Sequence, residues 1–167
     1  LPINDVRKAA SIIDIGSIRR IDLGLAGSRY FAAMASFGFD AAVVHSVVPR
    51  IKDVIGVGAY GLAIAKELVT HKPARFTLDI DGQAVETDAF IVLIANSASY
   101  AYGVKVASGA CVDDGLLDVM IFETQGPAKV ALLHQAYRVL ARTHFMDPNI
   151  RSFRARKVKV ESEPRVF

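Results

Sequence analysis

The sequence predicts a strand-dominated α+β domain: a β-sandwich of mainly antiparallel strands with two to four inserted or flanking helices. Three observations carry that expectation. A two-residue turn, Asp81-Gly82, joins two strand-like stretches, Arg75 to Ile80 and Gln83 to Ala95, which is the pattern of a β-hairpin. The stretch Leu116 to Phe122 carries apolar residues on both faces, as a central strand buried on both sides does. Helical periodicities fall between clusters of strands instead of following every strand, which separates α+β from a doubly wound α/β fold.

In chain order, Asn4 is placed to cap a short helix with Val6, Ala9, Ala10 and Ile13 at helical spacing and Gly16 at its end. Residues 1–17 therefore read as a connecting helix. From Ile18 to Ala35, Ile21 and Leu23 alternate with Arg20, Asp22 and Gly24, and Gly27-Ser28 interrupts before Tyr30-Phe31; this predicts a hairpin. Asp40 is placed to cap a helix from Ala41 to Val48 that Pro49 would end. Another helix is expected from about Ala59 to Val69, with Tyr60, Ile64 and Leu68 on one face. Pro127 suits the first turn of an amphipathic helix whose apolar face would be Val130, Leu133, Tyr137 and Leu140. A closing strand, Arg151 to Glu161, changes phase between Phe153 and Ala155 on one side and Val158 and Val160 on the other. A bulge at Arg156-Lys157 would restore a single apolar face.

The 167 residues, 52% of them hydrophobic, suffice for one domain with a substantial core. Twenty basic residues against 17 acidic give a net charge of only +3, which argues against a nucleic-acid partner. The single cysteine, Cys111, excludes an internal disulfide framework and a cysteine-rich zinc site, so a cytoplasmic setting is expected. His45, His71, His134 and His144 are scattered without metal-ligand spacing. No apolar run reaches the length of a membrane span, and no secretion signal is present. One basic stretch, Arg151, Arg154, Arg156, Lys157 and Lys159, suits a solvated strand face or a contact with an anionic membrane or phosphate. The chain begins Leu1-Pro2 and ends, still strand-like, at Glu163-Pro164-Arg165-Val166-Phe167, so both ends read as cut from a longer protein.

Chemistry concentrates in two consecutive segments, Ala95 to Gly103 and Cys111 to Val119. They run strand, polar loop, acidic turn, strand, so rigid neighbours hold the loop residues. Asn96 and Ser97 either face a cleft or cap the end of their strand. Asp113-Asp114-Gly115 is either a plain acidic turn or an oxygen-rich seat for a hard cation, because glycine lets a turn aim carbonyls inward.

Taken in order, Ile21-Asp22-Leu23-Gly24, Phe37-Gly38-Phe39-Asp40-Ala41, Ala95-Asn96-Ser97, Asp113-Asp114-Gly115-Leu116-Leu117-Asp118-Val119 and Val160-Glu161-Ser162 resemble the C-terminal half of the diacylglycerol and sphingosine kinase catalytic family. The likeness spans essentially the whole chain. It implies a two-domain lipid kinase whose first domain, outside this chain, binds ATP through a Gly-Gly-Asp-Gly-Thr motif. The second domain is a β-sandwich, and the lipid lies between the two. The family's catalytic carboxylate belongs to an Asp-Gly-Glu motif after a Glu-Ser-x-Pro strand, here Glu161-Ser162-Glu163-Pro164. That motif is expected just beyond Phe167, so no catalytic residue is expected within the chain and the fragment alone should be inactive. Asp81-Gly82-Gln83 is only superficially similar and reads as a hairpin turn.

The resemblance further implies a structural magnesium ion held by the Asp114 carboxylate and the backbone carbonyls of Leu116 and Cys111. It makes Asn96, Ser97, Tyr100, Tyr102 and Gly103 the candidates for the substrate cleft. Where the family often has consecutive glycines, the bulkier Tyr100-Ala101-Tyr102-Gly103 would narrow that cleft or shift its mouth. Expected partners are a lipid alcohol, ATP through the first domain, and the inner face of a membrane contacted peripherally. Exposed sheet edges would also favour a homodimer. The other class compatible with these residues is a non-catalytic lipid or acyl-chain binding β-sandwich, with Tyr100, Tyr102 and Phe31 near the mouth of its slot.

Overall fold

The computed structural model describes residues 5–16, 18–47, 58–100 and 104–165. Its spine is a 13-residue strand, β5 (Gln83–Ala95), which reaches three partners. Along one side, β4 (Ala74–Ile80) pairs with its first half and β3 (Met34–Gly38) with its second, both antiparallel. Along the other side lies β6 (Leu117–Glu123), with a register shift between Ala89 and Ile91. Outside β6 comes β7 (Ile150–Ala155), and outside β4 comes β8 (Val158–Glu163), giving the order β7-β6-β5-β4-β8. A separate small hairpin joins β1 (Gly24–Ala26) and β2 (Arg29–Phe31) through Gly27. The strand-rich α+β sandwich expected from the sequence is the fold observed.

The expected hairpin is present at Asp81-Gly82. Both residues take positive φ, 49° and 91°, as a two-residue turn matched to strand twist requires. Strand β6 is also as expected, with Val119, Met120, Ile121 and Phe122 all buried.

The closing strand differs from expectation. Two residues, Arg156 and Lys157, carry the chain from β7 on one edge of the sheet to β8 on the other. Three Cα-to-Cα steps of about 3.8 Å cannot cross a flat five-strand width, so the sheet curls until its edges nearly meet. The apolar phase changes there because two strands at opposite edges each keep their own alternation, and no bulge is needed. Asp81 at the β4–β5 turn fastens the seam: its carboxylate accepts the N–H groups of Arg156 (2.9 Å) and Lys157 (2.8 Å), and its own N–H donates to Lys157 O (3.0 Å). The Arg156 and Lys157 N–H groups hold the Asp81 carboxyl below the usual carboxylate range.

Inside the curl, Phe76, Leu78, Ile80, Val85, Val92, Val119 and Ile121 form the main core. On the outer face of β5 and β6 a second cluster, including Leu93, Met120 and Phe122, is covered by Val106 and Ala107. Both faces of the central strands are thus buried, and the two layers of the sandwich are two parts of one sheet.

The first helix, α1 (Val6–Ile15), is capped by Asp5, whose carboxylate accepts the Lys8 N–H at 3.0 Å; Asn4 lies outside the described residues. Helix α2 (Phe39–Ser46) starts directly after β3. Asp40 sits in its first turn and does not cap it, because its carboxylate accepts Ser36 Oγ–H at 2.5 Å and the Tyr100 hydroxyl. The expected end of this helix at Pro49 falls outside the described residues. Helix α3 (Gly58–Thr70) packs on α2 and buries Ala63 and Glu67, the latter accepting Ser46 Oγ–H at 2.5 Å. Its inward face is therefore rotated from the one expected, and Ile64 is 42% exposed. In α4 (Ala128–Leu140) the reversal is complete: Leu132 and Gln135 are buried, while Val130, Leu133, Tyr137 and Leu140 face solvent. Gln135 turns inward because its Nε2–H donates to the Glu123 carbonyl at 2.7 Å.

Gly38 joins β3 to α2 at φ 90°, and a Cβ there would stand 2.2 Å from Phe90 O. Backbone on both sides leaves nothing to yield. Gly38→Ala is expected to destabilise the domain by about 2–3 kcal/mol from strain alone, read as a lower urea midpoint at unchanged m-value.

Candidate functional site

A cleft of about 680 Å³ opens between the β1–β2 hairpin and the curled sheet, within the range of small-molecule sites. Its apolar lining comes from Leu25 and Phe31 of the hairpin, Phe37 of β3, Ile94 of β5, Leu117 of β6 and Val160 of β8, and Asp22 and Asn96 add polar groups. Arg156, Lys157 and Lys159 line it from the exposed seam, and Lys159 is paired with Glu161 at 2.7 Å.

Asn96 is the polar residue the sheet delivers to this cleft. It continues the inward alternation of Val92 and Ile94, is 1% exposed, and lines the cleft. Its amide donates to Asp22 O (2.8 Å) and Ala32 O (3.0 Å), tying the strand end to both feet of the hairpin. Asn96 Oδ1 is buried without a hydrogen-bond partner among the described residues. One side chain thus both lines the cleft and bonds the strand end to the hairpin.

The acidic turn borders the same cleft through Gly115 and Leu116. Asp22 anchors it, its carboxylate accepting the Gly115 N–H (2.7 Å) and its N–H donating to Val112 O (2.7 Å). Gly115 takes φ 73°, which suits glycine. The three aspartates of the turn have different surroundings. Asp113 is bidentate to Arg19 (2.9 and 2.6 Å) and accepts the Cys111 thiol (3.1 Å), and these bonds lower its pKa. Asp114 accepts the Leu116 N–H (3.0 Å) and pairs with Arg154. Asp118 is pushed up by burial, against the pull of Arg154, whose Nε stands 4.0 Å away, with Asp114 adding to the rise.

These oxygens are of the type a hard divalent cation takes, and Asp118 Oδ2 is buried without a hydrogen bond. Among the described residues, however, no three His, Cys, Asp or Glu side chains converge. A cation at Asp114 would need backbone carbonyls as further ligands and would share the carboxylate with Arg154.

Residues 33–167 match the family model described as the YegS C-terminal NAD kinase beta sandwich-like domain. The chain belongs to this family. Among its curated relatives, the diacylglycerol kinase of Bacillus subtilis (strain 168) is 27% identical over 160 residues, covering 96% of this chain and 52% of the relative. The diacylglycerol kinase of Mycobacterium tuberculosis is 28% identical over 167 residues, covering 96% and 53%. Two crystal structures from Bacillus anthracis str. Sterne share the fold of this YegS-type domain. One aligns with a TM-score of 0.71 at 21% identity over 96% of this chain and 51% of its own. The other, a diacylglycerol kinase, aligns at 0.60 and 16% over 96% and 49%. The chain spans about half the length of the curated relatives it matches.

The YegS-type sheet separates residues that the sequence groups together. Ser97 lies next to Asn96 but does not line the cleft; its hydroxyl donates to Ser99 O at 3.4 Å. Tyr100 packs with the outer cluster, and its hydroxyl bonds to Asp40. Burial and that bond hold the Tyr100 phenol above its usual pKa. Tyr102 and Gly103 lie outside the described residues. Sequence reasoning missed Asp22 as the anchor of the turn, Arg154 as the partner of Asp114, and Leu25 in the cleft wall. The basic stretch is also divided: Arg151 pairs with Glu123 at 2.9 Å and Arg154 with Asp114, on β7, while Arg156 to Lys159 adjoin the cleft.

Asn96→Ala would leave two partly buried carbonyls without their donor. The expected loss is about 1–3 kcal/mol, measured by chemical denaturation, with hydrogen exchange increasing first in the β1–β2 hairpin.

Proposed function

We propose that this chain is the lipid-side half of an ATP-dependent lipid kinase, and that the cleft between the β1–β2 hairpin and the sheet receives the hydrocarbon part of a lipid alcohol. The observation that carries the reading is the chemistry of the cleft: apolar side chains from six strands around one buried amide, in a domain whose curated relatives are named diacylglycerol kinase.

In this reading the lipid hydroxyl oxygen forms a bond to the γ-phosphorus of ATP while the bond from that phosphorus to the β–γ bridging oxygen breaks. The hydroxyl proton passes to a carboxylate outside this chain, and ADP leaves. Positioning and charge stabilisation supply most of the acceleration in such transfers. The part of this domain is to bury the chains, exclude water and fix the depth of the hydroxyl. A magnesium ion, when bound, adds positive charge near the acidic turn. Asp114, with the Leu116 and Cys111 carbonyls, would hold it.

The test is a paired assay of the chain alone and of the full-length protein with ATP and dispersed diacylglycerol. The full-length protein is expected to turn over and the chain alone is not; turnover by the chain alone would refute this division of labour. Leu25→Trp, at a residue 57% exposed on the cleft wall, is expected to lower affinity of the chain for a fluorescent short-chain diacylglycerol by at least ~10-fold, because the larger ring fills space the acyl chain would occupy. Unchanged affinity would move the lipid elsewhere.

Asp114→Ala in the full-length protein is expected to lower kcat, with part of the loss recovered at higher magnesium. An unaltered magnesium dependence would remove the metal from this turn.

A further inference from the structure

Helix α4 carries apolar residues on its outer face as well as its inner one, where Leu132 and Val139 pack. Its solvent-facing apex carries Val130 (64% exposed), Leu133 (54%), Tyr137 (68%) and Leu140 (73%), and the turn that follows adds Phe145 (48%) and Met146 (80%). Spacings of three and four residues align the first four into one stripe. Isolated exposed apolar residues are ordinary, but a contiguous row of them marks a contact surface.

Charge identifies the contact. Between Pro127 and Met146 the chain has no Asp or Glu, while Lys129 and Arg142 are exposed and Arg138 is tied to the buried Asp147 at 3.4 Å. A twofold contact between two copies would set this patch against itself, bringing like charges together. An anionic surface meets the same charges favourably. An apolar stripe with a tyrosine, flanked by basic and uncharged polar residues and by no acidic one, is the pattern of a helix lying in the headgroup plane of a bilayer. Among the described residues no helix is long and apolar enough to cross a membrane.

We infer that α4 docks this domain on anionic lipid bilayers, with Val130, Leu133, Tyr137 and Leu140 inserted at the interface and Lys129 and Arg142 against the headgroups. The inference uses the lipid-kinase reading only for what the bilayer delivers; the docking itself stands on the stripe.

The experiment is cosedimentation of the full-length protein with vesicles of phosphatidylcholine alone or with added phosphatidylglycerol. The wild type is expected to bind the anionic vesicles, less so as salt rises. Leu133→Gln/Tyr137→Gln, at side chains more than half exposed, is expected to weaken binding at least ~10-fold at an unchanged melting temperature. Equal binding by the variant, or no binding by the wild type, overturns the inference. So does conversion of a wild-type dimer into a monomer by the substitutions, which would give the stripe to a second copy. Phosphorylation of a micelle-dispersed short-chain lipid alcohol separates the two readings: activity that survives in the variant while vesicle binding is lost sustains both. Activity without any vesicle binding by the wild type defeats the docking alone.

Discussion

The architecture depends on one strand serving three partners. β5 has 13 residues, and only a strand of that length can hydrogen-bond β4 and β3 end to end on one side while β6 runs along the other. The register shift at Ala89–Ile91 and the close approach of Gly38 to Phe90 fall where the partner changes from β4 to β3. Local twist of this kind lets a sheet bend. Curling brings the outer edges together, and the Asp81 carboxylate fixes them with two backbone N–H groups across the seam.

The cleft follows from that closure. It is where the curled sheet remains open and a short hairpin stands over the gap. Its polar groups are mostly engaged in holding the walls: Asn96 and Asp22 bond to backbone, and Arg19 and Arg154 are occupied by the acidic turn. Apolar side chains and the cationic Arg156, Lys157 and Lys159 meet at this opening, a composition that accepts hydrocarbon and negative charge together. The turn beside it is neutralised by two arginines from distant parts of the chain, which restrains a segment of closely spaced aspartates whose repulsion would otherwise spread it.

What could be read from sequence was what neighbouring residues decide. Asp81-Gly82 specifies its turn through backbone preference, and β6 reveals double burial through an unbroken apolar run. Strand β8 could not be separated from β7 because their division depends on which edge each joins, and that is settled by β6 and β4, about thirty and about eighty residues away along the chain. The orientation of α4 was misread for a related reason. Periodicity finds an apolar face, but the demand of the Glu123 carbonyl for a donor turned Gln135 inward and the stripe outward. In the site, Asn96 and Tyr100 are close in sequence, yet strand alternation and the loop after it send them to opposite faces of one sheet, which no local pattern announces. Asp22 lay within the family pattern, yet its anchoring role exists only once residue 115 is beside it.

The position of β8 also bears on how the molecule is made. Synthesis runs from the N-terminus, and β4 emerges from the ribosome more than seventy residues before Val158–Glu163, the strand that covers its free side. Throughout that interval an open row of peptide groups, backed by Phe76 and Leu78, is available to any passing chain. Protection by helper proteins during translation would matter more for this domain than its final solvent-facing surface suggests.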